Sequence, residues 1–241
     1  MRVFFFSTCL GACAFADTCI VCIKLLQKEG VEVVFKKNQT CCGQPSFNSG
    51  YNEETKEIAL HTMDLLQGEE PIVVPSGSCA TMMRVDYPLL FEGTSYEKQA
   101  KDFAKRVYEL SEFLFEVLKV KYEDKGNPIK VTWHSNCHAL RGAKCIEAAK
   151  SLLRSLKNVE LIELEREEEC CGFGGTFSIK EPEISNAMVT QKVQDIQSRG
   201  VDCLLSADSG CLLNISGAMQ KQGINIQALH WYDFLAQRIG L

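Results

Sequence analysis

The chain has no apolar run approaching the roughly 18 residues that span a bilayer, which argues against a membrane-crossing helix. It has no block of basic residues, and its net charge is −5, so nucleic acid is not an expected partner. No Gly-x-Gly-x-x-Gly follows a strand-like run, so a nicotinamide or flavin fingerprint is missing. Nor can all the cysteines pair with one another, because there are 13 of them. Two vicinal pairs, Cys41-Cys42 and Cys170-Cys171, are poor disulfide candidates. Adjacent Cα atoms lie about 3.8 Å apart, below the usual disulfide range of about 4.4–6.8 Å. Metal or redox chemistry in a reducing compartment, the cytoplasm, is the expectation.

What is present is a repeat. Cys41-Cys42-Gly43-Gln44-Pro45 has a twin in Cys170-Cys171-Gly172-Phe173-Gly174-Gly175. Cys9 follows the strand-like Val3-Phe4-Phe5-Phe6, and Cys137 follows Val131-Thr132-Trp133. Cys79 ends Val73-Val74-Pro75-Ser76-Gly77-Ser78, and Cys211 ends Leu204-Leu205-Ser206-Ala207-Asp208-Ser209-Gly210. The three landmarks recur at separations of 128, 129 and 132, which identifies an internal duplication. With 241 residues and 46% hydrophobic content, the chain can build a core in each copy. We expect a first half over 1–120, a polar link over 121–128 and a second half over 129–241.

Arg2, the apolar run after it and Ala14-Phe15-Ala16 imitate a signal peptide. Leu10-Gly11-Ala12-Cys13 also imitates a lipoprotein cleavage site. The repeat opposes both readings, since Val3 to Cys9 has an internal counterpart and cleavage before Cys13 would remove Cys9.

The first half reads as strands over 2–7, 31–35 and 72–74, with helices over 13–27 and 52–66. Asn52 is the expected N-cap of the latter, with Glu53 and Glu54 in its first turn. A short helix near Cys79 is expected to stop before Pro88, residues 89–98 to be irregular, and 101–118 to form one amphipathic helix. The second half reads as strands over 129–134, 159–164, 203–207 and 224–229. Its helices are expected over 139–156, 183–200, 212–221 and 231–239. Residues 229–235 resemble 106–114, a further echo of the duplication. Alternating strands and helices indicate an α/β protein, two Rossmann-like βαβ halves related by a pseudo-two-fold, each with a parallel sheet.

Ligands of open parallel sheets bind beyond the carboxyl ends of the strands, where all the landmark cysteines fall. Cys9, Cys79, Cys137 and Cys211 also lie at or near helix starts, where the dipole favours a thiolate. One half therefore offers Cys9, Cys41, Cys42 and Cys79, and the other Cys137, Cys170, Cys171 and Cys211. Four thiolates suit a [4Fe–4S] cluster, a [2Fe–2S] cluster or zinc. Vicinal thiolates splay apart, which is awkward around one zinc ion and natural around several irons. Gly43 and Gly172 let the backbone turn tightly beside the bound group.

This arrangement resembles the cysteine-rich CCG domain family, which includes the B subunit of heterodisulfide reductase and the iron–sulfur subunit of glycolate oxidase. Within it, Cys41 to Pro45 with Asn48-Ser49-Gly50-Tyr51, Pro75 to Cys79, Cys170 to Phe177 and Cys211-Leu212-Leu213-Asn214-Ile215 are similar to the lactate utilisation protein A family. The similarity runs from about residue 2 to 235. It implies a cytoplasmic iron–sulfur subunit of a complex oxidising L-lactate to pyruvate. The implied partners are a larger ferredoxin-domain iron–sulfur subunit and a small third subunit. There is one departure. Heterodisulfide reductase ends each half in Cys-x-x-Cys, whereas Ser76 and Asp208 replace the first cysteine of each pair here. The unusual five-cysteine cluster of that enzyme, and disulfide cleavage with it, therefore do not carry over. A conventional cluster in one or both halves, or zinc in one, stays open. Two other readings remain beside electron transfer: a zinc-stabilised assembly protein, and a thiol–disulfide protein acting through a vicinal pair.

Cys19, Cys22 and Cys203 are expected to pack as small hydrophobes. His134 and His138 are assigned supporting roles near the cysteines, with ligation by His138 as the alternative. Asp208 is read either as an oxygen ligand or as a helix cap, and Ser76 and Ser78 as turn and cap residues. His61 and His230 carry no expected role.

Overall fold

A computed structural model describes residues 1–241. The first half contributes β1 (Arg2–Phe5), β2 (Glu32–Val34), β3 (Ile72–Val74) and β4 (Val107–Glu109). The second contributes β5 (Ile129–Trp133), β6 (Val159–Leu161), β7 (Cys203–Ser206) and β8 (Gln227–His230). Every pairing is parallel, and the orders are β2-β1-β3-β4 and β6-β5-β7-β8. In each sheet the chain moves outward from the first strand and then crosses to its other side. That creates a topological switch point between β1 and β3, and again between β5 and β7, where ligands of such sheets bind.

The strands are short, and the inner ones, such as β3 and β7, are buried on both faces, as parallel strands covered by helices are. Val3 and Phe5 face a core shared with the second half, while Phe4 and Phe6 face a separate outer core of the first half. In the second half, Val131, Trp133 and Leu205 enter the shared core and Leu204 an outer one. The helix Trp231–Ile239 seals the shared core. Trp231 meets Trp133 edge to face at 5.9 Å, and Asp233 accepts a hydrogen bond of 2.6 Å from the Thr18 hydroxyl. The polar stretch 121–128 is tied to the same helix, because Arg238 grips the buried Asp124 through two nitrogens at 2.7 Å.

The expected helix over 101–118 does not exist as one element. It is a helix over Glu97–Ala104, then β4, then a capped turn Leu110–Glu112 running into a π-helical turn Phe113–Val117. Val107, Leu110 and Leu114 satisfy a helical period, but Val107 and Glu109 pair with Ile72 and Val74 of β3. Pairing with β3 outweighs the local periodicity. The expected helix over 13–27 is two helices, Cys9–Ala14 and Ala16–Lys28, broken at Phe15. The helix near Cys79 does not end before Pro88. Gly77–Thr81 passes through a π-helical turn, Met82–Asp86, into Tyr87–Leu90, where Pro88 occupies a first-turn position that needs no N–H partner. Residues expected to be irregular thus include the end of one helix and the start of another. The expected helix over 139–156 opens as a π-helical turn, Ala139–Ala143, and resumes as Ile146–Arg154 after left-handed Lys144. Asn52 is the first helical residue and not the cap; Tyr51 holds that place without a side-chain bond.

Glu109 shows how the halves lock together. Its carboxylate caps the turn at Ser111 N–H, 2.8 Å away, and accepts the Tyr232 hydroxyl of the second half. Burial pushes its carboxyl up to about 7, although the Tyr232 bond opposes the shift. Between the ordinary carboxyl value and about 7 the folded chain holds a proton that the unfolded chain has released. Stability should therefore fall by roughly 3 kcal/mol as pH rises through that window. Glu109→Gln is expected to remove this slope, raising the melting temperature at pH 8 more than at pH 4. A variant whose melting temperature changes equally at both pH values would contradict the assignment.

Candidate metal centre

All eight landmark cysteines line one cleft of about 330 Å³ where the two halves meet. Cys9 is the first residue of the helix Cys9–Ala14, and Cys137 stands just before the turn Ala139–Ala143. Cys79 and Cys211 sit in the first turns of Gly77–Thr81 and Ser209–Lys221; the latter helix starts three residues earlier than expected. The vicinal pairs occupy the loops after β2 and β6. Gly43 and Gly172 follow them in the left-handed region, at φ 90° and 83°. That turn aims each glycine N–H back at a sulfur, 3.4 Å from Cys41 Sγ and 3.3 Å from Cys170 Sγ. A side chain at Gly172 would also run into the Ser185 carbonyl, 2.7 Å from where its Cβ would stand.

Within the first half, Cys9 and Cys41 sulfurs are 3.7 Å apart and those of Cys42 and Cys79 are 3.4 Å apart. In the second half Cys137 and Cys171 lie close enough to Cys170 to lower it, and the sulfurs of Cys171 and Cys211 lie within 4.8 Å of each other. The loops are anchored from behind. Tyr87 donates its hydroxyl to the Cys42 carbonyl and Asn214 its amide to the Cys171 carbonyl, both at 2.8 Å.

In each set one sulfur is drawn down, Cys41 in the first and Cys170 in the second. Thiols of Cys42 and Cys9, with the Gly43 N–H, pull Cys41 well below the ordinary thiol value. Cys137, Cys171 and the Gly172 N–H do the same for Cys170. The donors move oppositely: Cys9 and Cys137 are raised, first by their bonds to Cys41 and Cys170 and then by burial. Crowded sulfurs titrate as a group, so one thiolate holds its neighbours' protons in place. A cation displaces those protons by offering the charge that the cluster of thiols lacks. Four convergent sulfurs with an N–H donor on one of them, as each half offers, fit an iron–sulfur cluster or a four-thiolate zinc ion.

Between the two sets stands Asp208. One oxygen accepts the Cys211 N–H at 3.4 Å, making it the cap of Ser209–Lys221. The other accepts from the Asn136 amide and the Ser78 hydroxyl, both at 2.6 Å, from the Ser76 hydroxyl at 3.0 Å and from the Ser78 N–H at 3.2 Å. The cap reading is the one the structure supports, with every strong contact used within the protein. Asn136 was not singled out by the sequence, although it adjoins Cys137. Two further bridges close the cleft from the sides: Gln44 to His138 at 3.2 Å and Ser49 to Thr176 at 2.6 Å.

His138 also lies 3.6 Å from Cys137 Sγ. His134 is buried under the second set, close to Cys171 and Cys211. Burial and Lys192 lower its ring to about 4, so it is neutral at pH 7. His61 pairs with the Asn38 carbonyl at the surface, and His230 packs against Phe15 and Tyr232. Cys19, Cys22, Cys145 and Cys203 belong to the shared core, while Cys13 is exposed.

The chain matches the CCG cysteine-rich domain twice, over residues 3–84 and 131–216. It is 44% identical over 233 residues to Lactate utilization protein A of Shouchella clausii (strain KSM-K16), covering 95% of this chain and 96% of that one. Lactate utilization protein A of Geobacillus sp. (strain WCH70) is 41% identical over 241 residues, covering 99% and 100%. Among solved structures, a hypothetical protein from Helicobacter pylori superposes on 100% of this chain with a TM-score of 0.71 at 8% identity. That likeness is one of fold, and this chain spans 49% of the other's length. No helix is long and apolar enough to cross a membrane.

Proposed function

Because the chain belongs to the lactate utilization protein A family of CCG cysteine-rich proteins, we propose that it is the iron–sulfur electron-transfer subunit of a complex oxidising L-lactate to pyruvate. The observation that carries this reading is the convergence of two four-cysteine sets on one cleft between duplicated halves. Residues 1–120 and 129–241 are taken as the two cluster-bearing halves, joined by 121–128. Cys9, Cys41, Cys42 and Cys79 would hold one group, and Cys137, Cys170, Cys171 and Cys211 the other.

When bound, an iron–sulfur cluster supplies a one-electron acceptor and donor. Lactate oxidation releases two electrons and two protons, and two such centres can take one electron each. The chain's own residues do the rest. Gly43 and Gly172 N–H groups partly neutralise thiolate charge at Cys41 and Cys170, which favours the reduced state. Leu10, Pro45, Phe173 and Ile179 line the same cleft with apolar surface and limit water. The substrate-oxidising centre belongs to a partner, in line with the ferredoxin-domain subunit and small third subunit that the family resemblance implies.

The test is iron, acid-labile sulfide and zinc per chain on anaerobically purified protein. The expected result is about eight irons and eight sulfides, two [4Fe–4S] groups. About four of each with one zinc would leave electron transfer to one half. Zinc without sulfide, even after attempted cluster reconstitution, would overturn the reading and leave a zinc-stabilised assembly protein. Reversible thiol titration without metal would overturn it in favour of thiol–disulfide chemistry.

A further inference from the structure

The two centres are not chemically equal. The first residue beyond β1 is Phe6, whose N–H donates to the Val73 carbonyl at 3.0 Å; the first beyond β5 is His134, whose N–H donates to the Leu205 carbonyl at 2.8 Å. The same register places Phe6 and His134 at matching positions, as the Cys9 and Cys137 landmarks require. Phe6 is fully buried in an apolar cluster that includes Cys42 and Cys79. His134 is 1% exposed, and neither of its ring nitrogens has a hydrogen-bond partner. A ring nitrogen of His134 and the sulfurs of Cys171 and Cys211 all lie within 4.8 Å of one another.

An imidazole in a core with both nitrogens unpaired is costly, and an apolar ring serves at the matching place. The polar residue is therefore accounted for by something its lone pair binds. We propose that His134 is a nitrogen ligand of the second centre, so that the first half holds an all-sulfur group and the second a mixed sulfur-and-nitrogen one. This rests on the metal-binding reading of the eight cysteines. One ring nitrogen gives its lone pair to the metal and the other keeps its proton. His134 also lines a small cavity with Glu109, Trp133, Asn136 and Ser206, about 10 Å³ and the size of one water.

Ligation by His134 leaves one of the four thiols of the second set without a metal position, and a neutral imidazole in place of that thiolate lowers the negative charge of an iron centre and raises its reduction potential. The buried ammonium of Lys192, which donates to the Arg166 carbonyl and lies within electrostatic reach of both His134 and Cys171, acts in the same direction. Electrons entering the chain would then come to rest in the second half.

The test uses the full chain, reconstituted anaerobically with iron and sulfide, reduced, and labelled with 15N-histidine. Pulsed electron paramagnetic resonance is expected to show a nitrogen coupling of the strength of direct ligation. The coupling should vanish in His134→Phe, which copies the first half. His134→Cys, which puts a thiolate in the imidazole's place, should keep the iron while losing the coupling and lowering the potential of the second centre. Absence of a directly bound nitrogen in the labelled wild-type protein overturns the proposal without any variant. So does a coupling that survives in His134→Phe, which would point to His138. If the chain carries zinc and no sulfide, the electron-transfer reading falls separately. Zinc-edge X-ray absorption then decides the ligand question: a nitrogen shell lost in His134→Phe supports ligation, and sulfur-only scattering refutes it.

Discussion

Serine at both Cys41 and Cys42 is expected to remove one centre and leave the other, so that iron and sulfide per chain fall to about half. Each set of four sulfurs comes from loops of a single sheet: in the first half, those after β1, β2 and β3. The contacts of 3.4–3.7 Å that gather the first set all lie within that half. Serine keeps the volume of cysteine but is a poor ligand for iron, and Cys42 alone meets both Cys41 and Cys79. The signal that remains should be the one bearing the His134 nitrogen. Loss of all iron from a folded double variant would mean that the eight thiols hold one shared group. The measurement is metal and sulfide analysis beside circular dichroism of the same sample.

Asp208→Ala should have the largest effect on stability, about 3–7 kcal/mol. The substitution removes a helix cap, about 1 kcal/mol by itself. It also strips partners from the Asn136 amide and the Ser78 N–H at the junction of the halves, at about 1–3 kcal/mol for each donor left buried. A melting temperature lower by about 10 °C or more follows for a chain of this length. Asp208→Asn keeps one accepting oxygen and should lie between. A loss of under about 1 kcal/mol in thermal unfolding of Asp208→Ala would show that water takes over the carboxylate's bonds.

Much of this architecture was legible because the chain states it twice. The vicinal cysteines, their glycines and the strands before them share one spacing, and that alone implies two parallel sheets with sulfur at their carboxyl ends. The repeat would even have corrected the main error. Residues 106–114 resemble 229–235, and the latter span the end of a strand and the start of a helix. Their likeness points to β4, which helical periodicity through Val107, Leu110 and Leu114 concealed. The breaks at Phe15 and Lys144 left no trace of this kind, because they depend on how each helix meets the other half. The lowering of Cys41 and Cys170 leaves no mark in the sequence, because it depends on which thiols the fold brings together from distant loops. Asn136 was hidden similarly, since its significance lies in what faces it across the fold.

Ser76 and Asp208 are 132 residues apart, the same separation as Cys79 and Cys211, and they touch each other. Residues at equivalent places that meet must lie on the axis relating the two halves. In a symmetric pair of separate, identical half-chains, whatever stands at that spot meets its own copy. Two aspartates there would repel, and two serines would leave the surrounding donors without a charged acceptor. Serine facing aspartate is a combination that no homodimer of half-length chains can encode. Joining the copies into one polypeptide let each side of the axis take a different residue. The unlike pairs Ser76 with Asp208 and Phe6 with His134 are therefore marks of a duplication whose two parts have become mutually dependent and are no longer interchangeable.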